Sequence, residues 1–274
     1  MGAFFSNLKE YFKFSSSRGS ATLSGALVFF ILLGIIPICY ISSLILSFMG
    51  TELTLVAKTF SYPLFNEVTD YVLQTAGKLG AGGNVVAFCV ALFSSANVFY
   101  HLKLSGVILY NYPLKHSIFL RIISIMATFI IVCAFSVGVT IYLAIMPLIM
   151  EKVGQLLFSL INSVVALVSV LLLAVIVNFY ACPFKLKFNE IIKGSVYTSV
   201  FSFLATFFFF IYINNFSSFD DLYGKIAIIV IFLSWLYLMV KGFIDGITIN
   251  VFLMSRTKVK NNKNLKVVST KISS

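Results

Sequence analysis

Charged residues are scarce in this sequence. They make up 11% of the 274 residues, whereas soluble domains carry about 25%. Hydrophobic residues make up 60%, and the aromatic residues include 30 phenylalanines but one tryptophan. This scarcity of charge excludes an ordinary soluble domain, because too few polar side chains are present to cover its surface.

Cysteine and histidine are also few. The four cysteines are Cys39, Cys89, Cys133 and Cys182. Each is isolated, so there is neither a C-x-x-C pair nor a metal-ligand spacing, and we interpret all four as packing residues. The two histidines, His101 and His116, lie next to lysines and have no nearby carboxylate in the sequence. We therefore predict no metal site, no cofactor and no catalytic residue.

The sequence contains six long apolar stretches, which make up most of its length. They cover residues 25–49, 84–104, 119–150, 156–181, 196–216 and 226–254. Each is long enough to cross a hydrocarbon core of about 30 Å, which takes about 20 helical residues. Backbone groups in lipid must bond within their own segment, which favours helices. The sequence predicts an all-α integral membrane protein, a six-helix transmembrane bundle forming one polytopic domain over residues 1–274.

Basic residues are unevenly distributed between the connectors. Fifteen of the 20 lysines and arginines fall in the segments that share a side with the N-terminus, whereas most acidic residues fall on the other side. The positive-inside rule therefore predicts that both termini are cytoplasmic. This orientation explains the net charge of +11 without a nucleic-acid partner.

Three segments outside the spans have recognisable patterns. Residues 1–24 form an amphipathic lead-in on the inner membrane surface, with a break predicted at residues 15–17. Residues 50–83 form an outer helical hairpin, which either rests on the bundle or acts as a lid. Residues 255–274 form an irregular basic cytoplasmic tail that contacts anionic inner-leaflet lipid.

One pair of charged residues falls in the middle of the sixth span. Lys241 and Asp245 are four residues apart and therefore share a helix face. Asn250 extends this polar face. Because charge at this depth is costly, the pair needs a partner or a purpose. Two interpretations stay open, a pair that fixes helix packing and a site that handles substrate or protons.

Uncharged polar residues mark a second region. Ser94, Ser95 and Asn97 lie in the second span, and its lower hydrophobicity predicts a central position and a share in the polar site. Such side chains usually join helices. Pro37 and Pro147 predict kinks in the first and third spans.

Three segments resemble the YihY/BrkB family of bacterial inner-membrane proteins. They are SATLSGALVFFILLGIIP at 20–37, FSSAN at 93–97, and the series LYGK, SWLYL and GITIN at 222–225, 234–238 and 246–250. The last series is similar to the family's Tyr-Gly, Trp-x-Tyr and Gly-x-Glu-x-Asn pattern. Thr248 stands where the family has Glu, and Asp245 could supply the displaced carboxylate.

The resemblance covers roughly residues 15–255 and implies a six-helix bundle in the bacterial inner membrane. The family has carried ribonuclease and virulence labels, but it implies no defined chemistry. From the residues, we favour a transporter or flippase-like protein for a small or amphiphilic envelope solute, over a non-transporting accessory or scaffold protein. A ribonuclease would need clustered histidines and carboxylates, which the predicted inner segments lack. Substrate, coupling ion and homo-oligomerisation stay open.

Overall fold

The computed structural model describes residues 2–48, 81–113, 117–184, 186–215 and 220–272. Within these ranges it contains seven α-helices and no strand. In chain order they are α1 (Gly2–Ser17), α2 (Ser20–Phe48), α3 (Ala81–Tyr110), α4 (Ser117–Lys152), α5 (Gln155–Ala181), α6 (Phe188–Asn215) and α7 (Asp220–Ile272). Six of them are long and apolar enough to cross a membrane. The predicted all-α class with six spans is confirmed.

Several helix boundaries differ from the sequence-based expectation. Helix α6 begins at Phe188, eight residues before the predicted span. Its first turn tolerates polar residues because the Glu190 carboxylate accepts a hydrogen bond of 2.8 Å from the Lys187 backbone N–H. The expected irregular tail is wrong, since α7 continues to Ile272. Residues 255–274 contain no glycine or proline that would end a helix.

The break between α1 and α2 also lies later than predicted. Residues 15–17 stay helical, and the chain turns at Gly19, which has a φ of 64°. Glycine adopts this left-handed conformation without steric cost, so it commonly terminates helices. The hairpin expected over 50–83 lies almost entirely outside the described residues.

The chain divides into two compact units. One comprises residues 1–28, 104–113 and 165–274, and the other comprises 29–103 and 114–164. The first unit thus contains α1, the start of α2, the end of α3, most of α5, and α6 and α7.

Helices α6 and α7 of the first unit approach each other closely through small residues. A Cβ added to Gly194 would lie 2.0 Å from the Gly246 carbonyl oxygen, and one added to Gly246 would lie 2.1 Å from Thr198 Oγ1. The Thr198 hydroxyl lies 3.0 Å from the Gly194 carbonyl oxygen and 3.1 Å from that of Gly242. Small residues of this kind allow membrane helices to pack backbone to backbone.

The second unit has its own apolar core. Tyr40 and Ile41 of α2 pack with Ala91 of α3 and Val132 of α4. Helix α2 remains helical through Pro37, and α4 does so through Pro147. The kinks at these prolines stay predictions.

Candidate functional site

Lys241 and Asp245 lie one turn apart on α7 and form a salt bridge. The Lys241 side chain is 22% exposed and that of Asp245 is 12% exposed. The pair is therefore largely removed from solvent, and the Lys241 side chain is the more exposed of the two. A charge pair in such a place is stable only while both partners are present.

Two serines from the α1–α2 turn complete the ammonium's surroundings. Lys241 Nζ donates to Ser20 Oγ at 3.3 Å, and Ser20 Oγ lies 2.6 Å from Ser15 Oγ. Both serines are buried. The turn at Gly19 brings the last turn of α1 and the first residue of α2 to the same point on α7.

Tyr11 of α1 lies near the Asp245 carboxylate. Its hydroxyl is buried and makes no hydrogen bond of ordinary geometry within the described residues. It nevertheless lies close enough to Ser15 and Asp245 to interact with both side chains. Burial, followed by the negative charge of Asp245, raises the pKa of Tyr11, so the phenol stays protonated. We call Tyr11, Ser15, Ser20, Lys241 and Asp245 the ion-pair site.

A second set of contacts fixes α1 along α7. Arg256 forms a salt bridge with Glu10 and donates from Nη1 to Asn7 Oδ1 at 2.9 Å. The Arg256 guanidinium also lies 4.8 Å from the centre of the Phe252 ring. Tyr11 packs edge-on against the same Phe252 ring at 5.8 Å between ring centres. The aromatic contact thus lies between the ion-pair site and the exposed salt bridge.

Asn250 belongs to a different, fully buried network. Its Nδ2 donates to Asn178 Oδ1 at 2.8 Å and to the Ile191 carbonyl oxygen at 3.1 Å. Its Oδ1 accepts from the Gly194 backbone N–H at 2.8 Å. Asn178 donates in turn to Ser195 at 3.2 Å. Both polar atoms of the Asn250 side chain are thus used in hydrogen bonds that join α5, α6 and α7. This is a packing role.

The polar residues of the second span lie in the other compact unit. The Ser95 hydroxyl is buried and bonds the Ala91 carbonyl oxygen of its own helix at 2.8 Å. Asn97 Oδ1 accepts from Arg121 Nη2 at 3.5 Å, and Ser94 is half-buried. Their share in a polar site with Lys241 stays a prediction.

Sequence reasoning missed the three hydroxyl groups of the ion-pair site. In the sequence, Tyr11 falls within the amphipathic lead-in and Ser20 within the family-like opening segment, and neither pattern indicates a polar site. Tyr197 of α6 also interacts electrostatically with Asp245 and had no sequence signal. Among the described residues, no group of three or more His, Cys, Asp or Glu side chains is placed to hold a metal ion.

Six long apolar helices define a multi-pass membrane protein, and the largely buried ion pair lies on the last of them. The chain belongs to the BrkB virulence factor family, whose sequence model matches residues 12–269. No curated protein and no solved structure matches the chain.

Proposed function

We propose that this protein is a transporter or flippase-like protein for a small or amphiphilic envelope solute, in the inner membrane of a bacterium. The observation that carries the proposal is the ion pair of Lys241 and Asp245, which lies largely buried in the middle of a long apolar span while part of the Lys241 side chain stays exposed. Ionisable residues at membrane depth are expensive and commonly mark substrate or ion pathways. Anionic lipid at the basic C-terminal tail is part of the same proposal.

The hydroxyl groups beside the pair support this function over a purely structural one. A packing salt bridge needs only its two partners, whereas this one is surrounded by Tyr11, Ser15 and Ser20. Such convergent polar groups are typical of binding sites, where they fix the orientation of a ligand.

A second function is a non-transporting accessory or scaffold protein of the envelope. The network of Asn178, Gly194 and Asn250 favours it, because those polar residues are wholly used in joining helices. The ribonuclease label of the family gains no support from the described residues.

Reconstitution tests the proposal. The purified protein is placed in phosphatidylcholine vesicles that carry traces of tail-labelled fluorescent phosphatidylglycerol, phosphatidylethanolamine or phosphatidylcholine. Dithionite then bleaches the outer leaflet alone. If the protein transports an amphiphile, at least one inner-leaflet label becomes accessible to dithionite in vesicles that contain the native chain. In vesicles that contain the Lys241→Met/Asp245→Asn double variant, the inner-leaflet labels stay protected. Protection equal to that of protein-free vesicles for all three labels would contradict the flippase form.

A further inference from the structure

The ion-pair site has unused hydrogen-bond donors. A lysine ammonium carries three N–H donors, and within the described residues Lys241 uses two of them, on Asp245 and Ser20. The buried Tyr11 hydroxyl is a further donor without a well-formed bond. Leaving a buried donor unbonded is costly. An acceptor oxygen bound at the ion-pair site would give these donors a partner.

The charge of the site limits which acceptor can bind. With Lys241 protonated and Asp245 ionised, the site is neutral. An anion bound alone would leave one uncompensated negative charge in a low-dielectric place beside the carboxylate, which is unfavourable. One proton on Asp245 removes this charge. We propose that the ion-pair site binds an oxyanion, such as a phosphodiester or a carboxylate, together with one proton.

The proton step needs no other reactant. A proton from water adds to an Asp245 carboxylate oxygen and gives the neutral acid, which releases the Lys241 ammonium from the salt bridge. The ammonium and the Tyr11 hydroxyl then donate to the oxyanion, and the site is neutral again. The groups that face Asp245 are Lys241 on its own helix, Tyr11 on α1 and Tyr197 on α6. The proton goes to Asp245 because its carboxylate is the anionic group of the ion-pair site.

A cationic or zwitterionic ligand fits less well. Its ammonium group would need an acceptor, and the only carboxylate of the site is already bound to Lys241. The hydroxyls of Ser15 and Ser20 bond each other. Donors therefore exceed acceptors in the ion-pair site, which favours an anionic ligand.

The test is a titration of the purified full chain in a non-ionic detergent. The probes are dimethyl phosphate, a free phosphodiester, and dihexanoyl-phosphatidylglycerol, a short lipid with the same charged group. Both keep one negative charge from about pH 5 to 8, so any pH dependence belongs to the protein. Linkage predicts that the affinity falls as the pH rises, by up to about tenfold per pH unit, with uptake of about one proton per bound anion. If both probes bind, the phosphodiester group alone is sufficient for binding. If only the lipid binds, the ligand of the site is an amphiphile.

Variants separate the ion-pair site from the general surface charge. Asp245→Asn imitates the protonated acid, so its affinity should match that of the low-pH protein at every pH. Tyr11→Phe should weaken binding by about 10- to 150-fold, the usual range for loss of a hydrogen bond to a charged group. Lys241→Gln should abolish binding, whereas Lys193→Gln, at an exposed position of α6, should leave it unchanged.

Three results would overturn the inference. They are an affinity of the native chain that does not vary with pH, equal binding of dihexanoyl-phosphatidylcholine, and an equal loss of binding in Lys193→Gln and Lys241→Gln. The first two use the unmodified protein and do not depend on whether a variant folds. The inference deepens the proposed transport function, but binding in detergent is independent of transport. Proton-linked binding without vesicle transport would reject the transport function alone, and transport without proton-linked binding would reject this inference alone.

Discussion

Among the residues that the structure describes, two salt bridges join charged side chains of the first unit, and their surroundings differ. The pair Lys241 and Asp245 is largely buried. In the pair Arg256 and Glu10, the side chains are 41% and 57% exposed. Exposed pairs contribute about 0–1 kcal/mol, whereas removal of one partner from a buried pair costs about 3–5 kcal/mol because a charge is left uncompensated. The same interaction type should therefore have different consequences at the two positions.

The first prediction compares single and double variants of the buried pair. Asp245→Asn and Lys241→Met should each reduce the folded fraction in the membrane, by up to about 3–5 kcal/mol in stability, and the double variant should recover most of it. Fluorescence-detected size-exclusion chromatography measures the folded fraction. If the double variant folds but cells that carry it still behave like cells without the protein, the pair has a role beyond packing. If the phenotype returns, the pair is structural.

The exposed pair provides the matched control. Glu10→Gln and Arg256→Gln remove charges of the same two signs, and each should change stability by less than about 1 kcal/mol. Equal effects at the buried and exposed pairs would show that the Lys241 and Asp245 side chains reach solvent or lipid headgroups, contrary to the placement described above.

At the scale of the helices, the crossing of α6 and α7 depends on the absence of side chains. Gly194 and Gly246 face each other across the contact, and Gly242 lies one turn earlier against Phe201. In lipid, close packing and interhelical hydrogen bonds hold helices together, since apolar side chains gain little by leaving hydrocarbon for a neighbouring helix. The crossing also positions α7, which carries the ion pair.

The second prediction is that Gly246→Ala disrupts this crossing. The new Cβ would lie 2.1 Å from Thr198 Oγ1 and 2.7 Å from a backbone oxygen, so the helices must separate. Overpacking of this kind costs about 1–3 kcal/mol, which a thermal-unfolding assay in detergent detects. Gly138→Ala is the control: nothing lies within 4 Å of its added Cβ, so the change should be neutral or slightly stabilising. A stable Gly246→Ala protein would mean that α6 and α7 are farther apart than described.

The helices were predictable from sequence to a greater extent than the ion-pair site. Hydropathy predicts helices because every lipid-facing backbone must bond within itself, and α5 agrees with its predicted span almost to the residue. The spacing of Lys241 and Asp245 likewise predicted their shared helix face. Tyr11 and Ser20 could not be found this way, since Ser20 lies 221 residues from Lys241 in sequence. Only the docking of α1 on α7 brings them together.

At the scale of the whole molecule, most of the apolar surface faces outward. In the 18-residue apolar stretch of each span, between 11% and 33% of the residues are buried within the protein. Large side chains such as Ile118, Leu172 and Phe208 are at least 60% exposed. Soluble proteins rarely expose continuous apolar surface of this extent, so this surface is matched to hydrocarbon. The direction of insertion rests on the basic residues and stays a prediction.

The third prediction tests that direction by cysteine labelling in intact cells. In a chain whose four native cysteines are replaced, a cysteine at Ser217 or Asn66 should react with an impermeant thiol reagent. A cysteine at Lys263 should react only after the cells are opened. The reason is that basic segments stay on the cytoplasmic side. Labelling of Lys263→Cys in intact cells would reverse the orientation.

The docking of α1 on α7 has a consequence for biogenesis. Helix α1 is translated before the other described helices. Its partners Lys241, Asp245 and Arg256 belong to α7, which is translated after them. At about 5–20 residues per second, the 221 residues between Ser20 and Lys241 take about 10–45 s to translate. During this interval Tyr11 and Ser20 have no ion pair to contact. The ion-pair site can therefore form only after the sixth span has been made, so its assembly marks a chain in which all six spans have been translated.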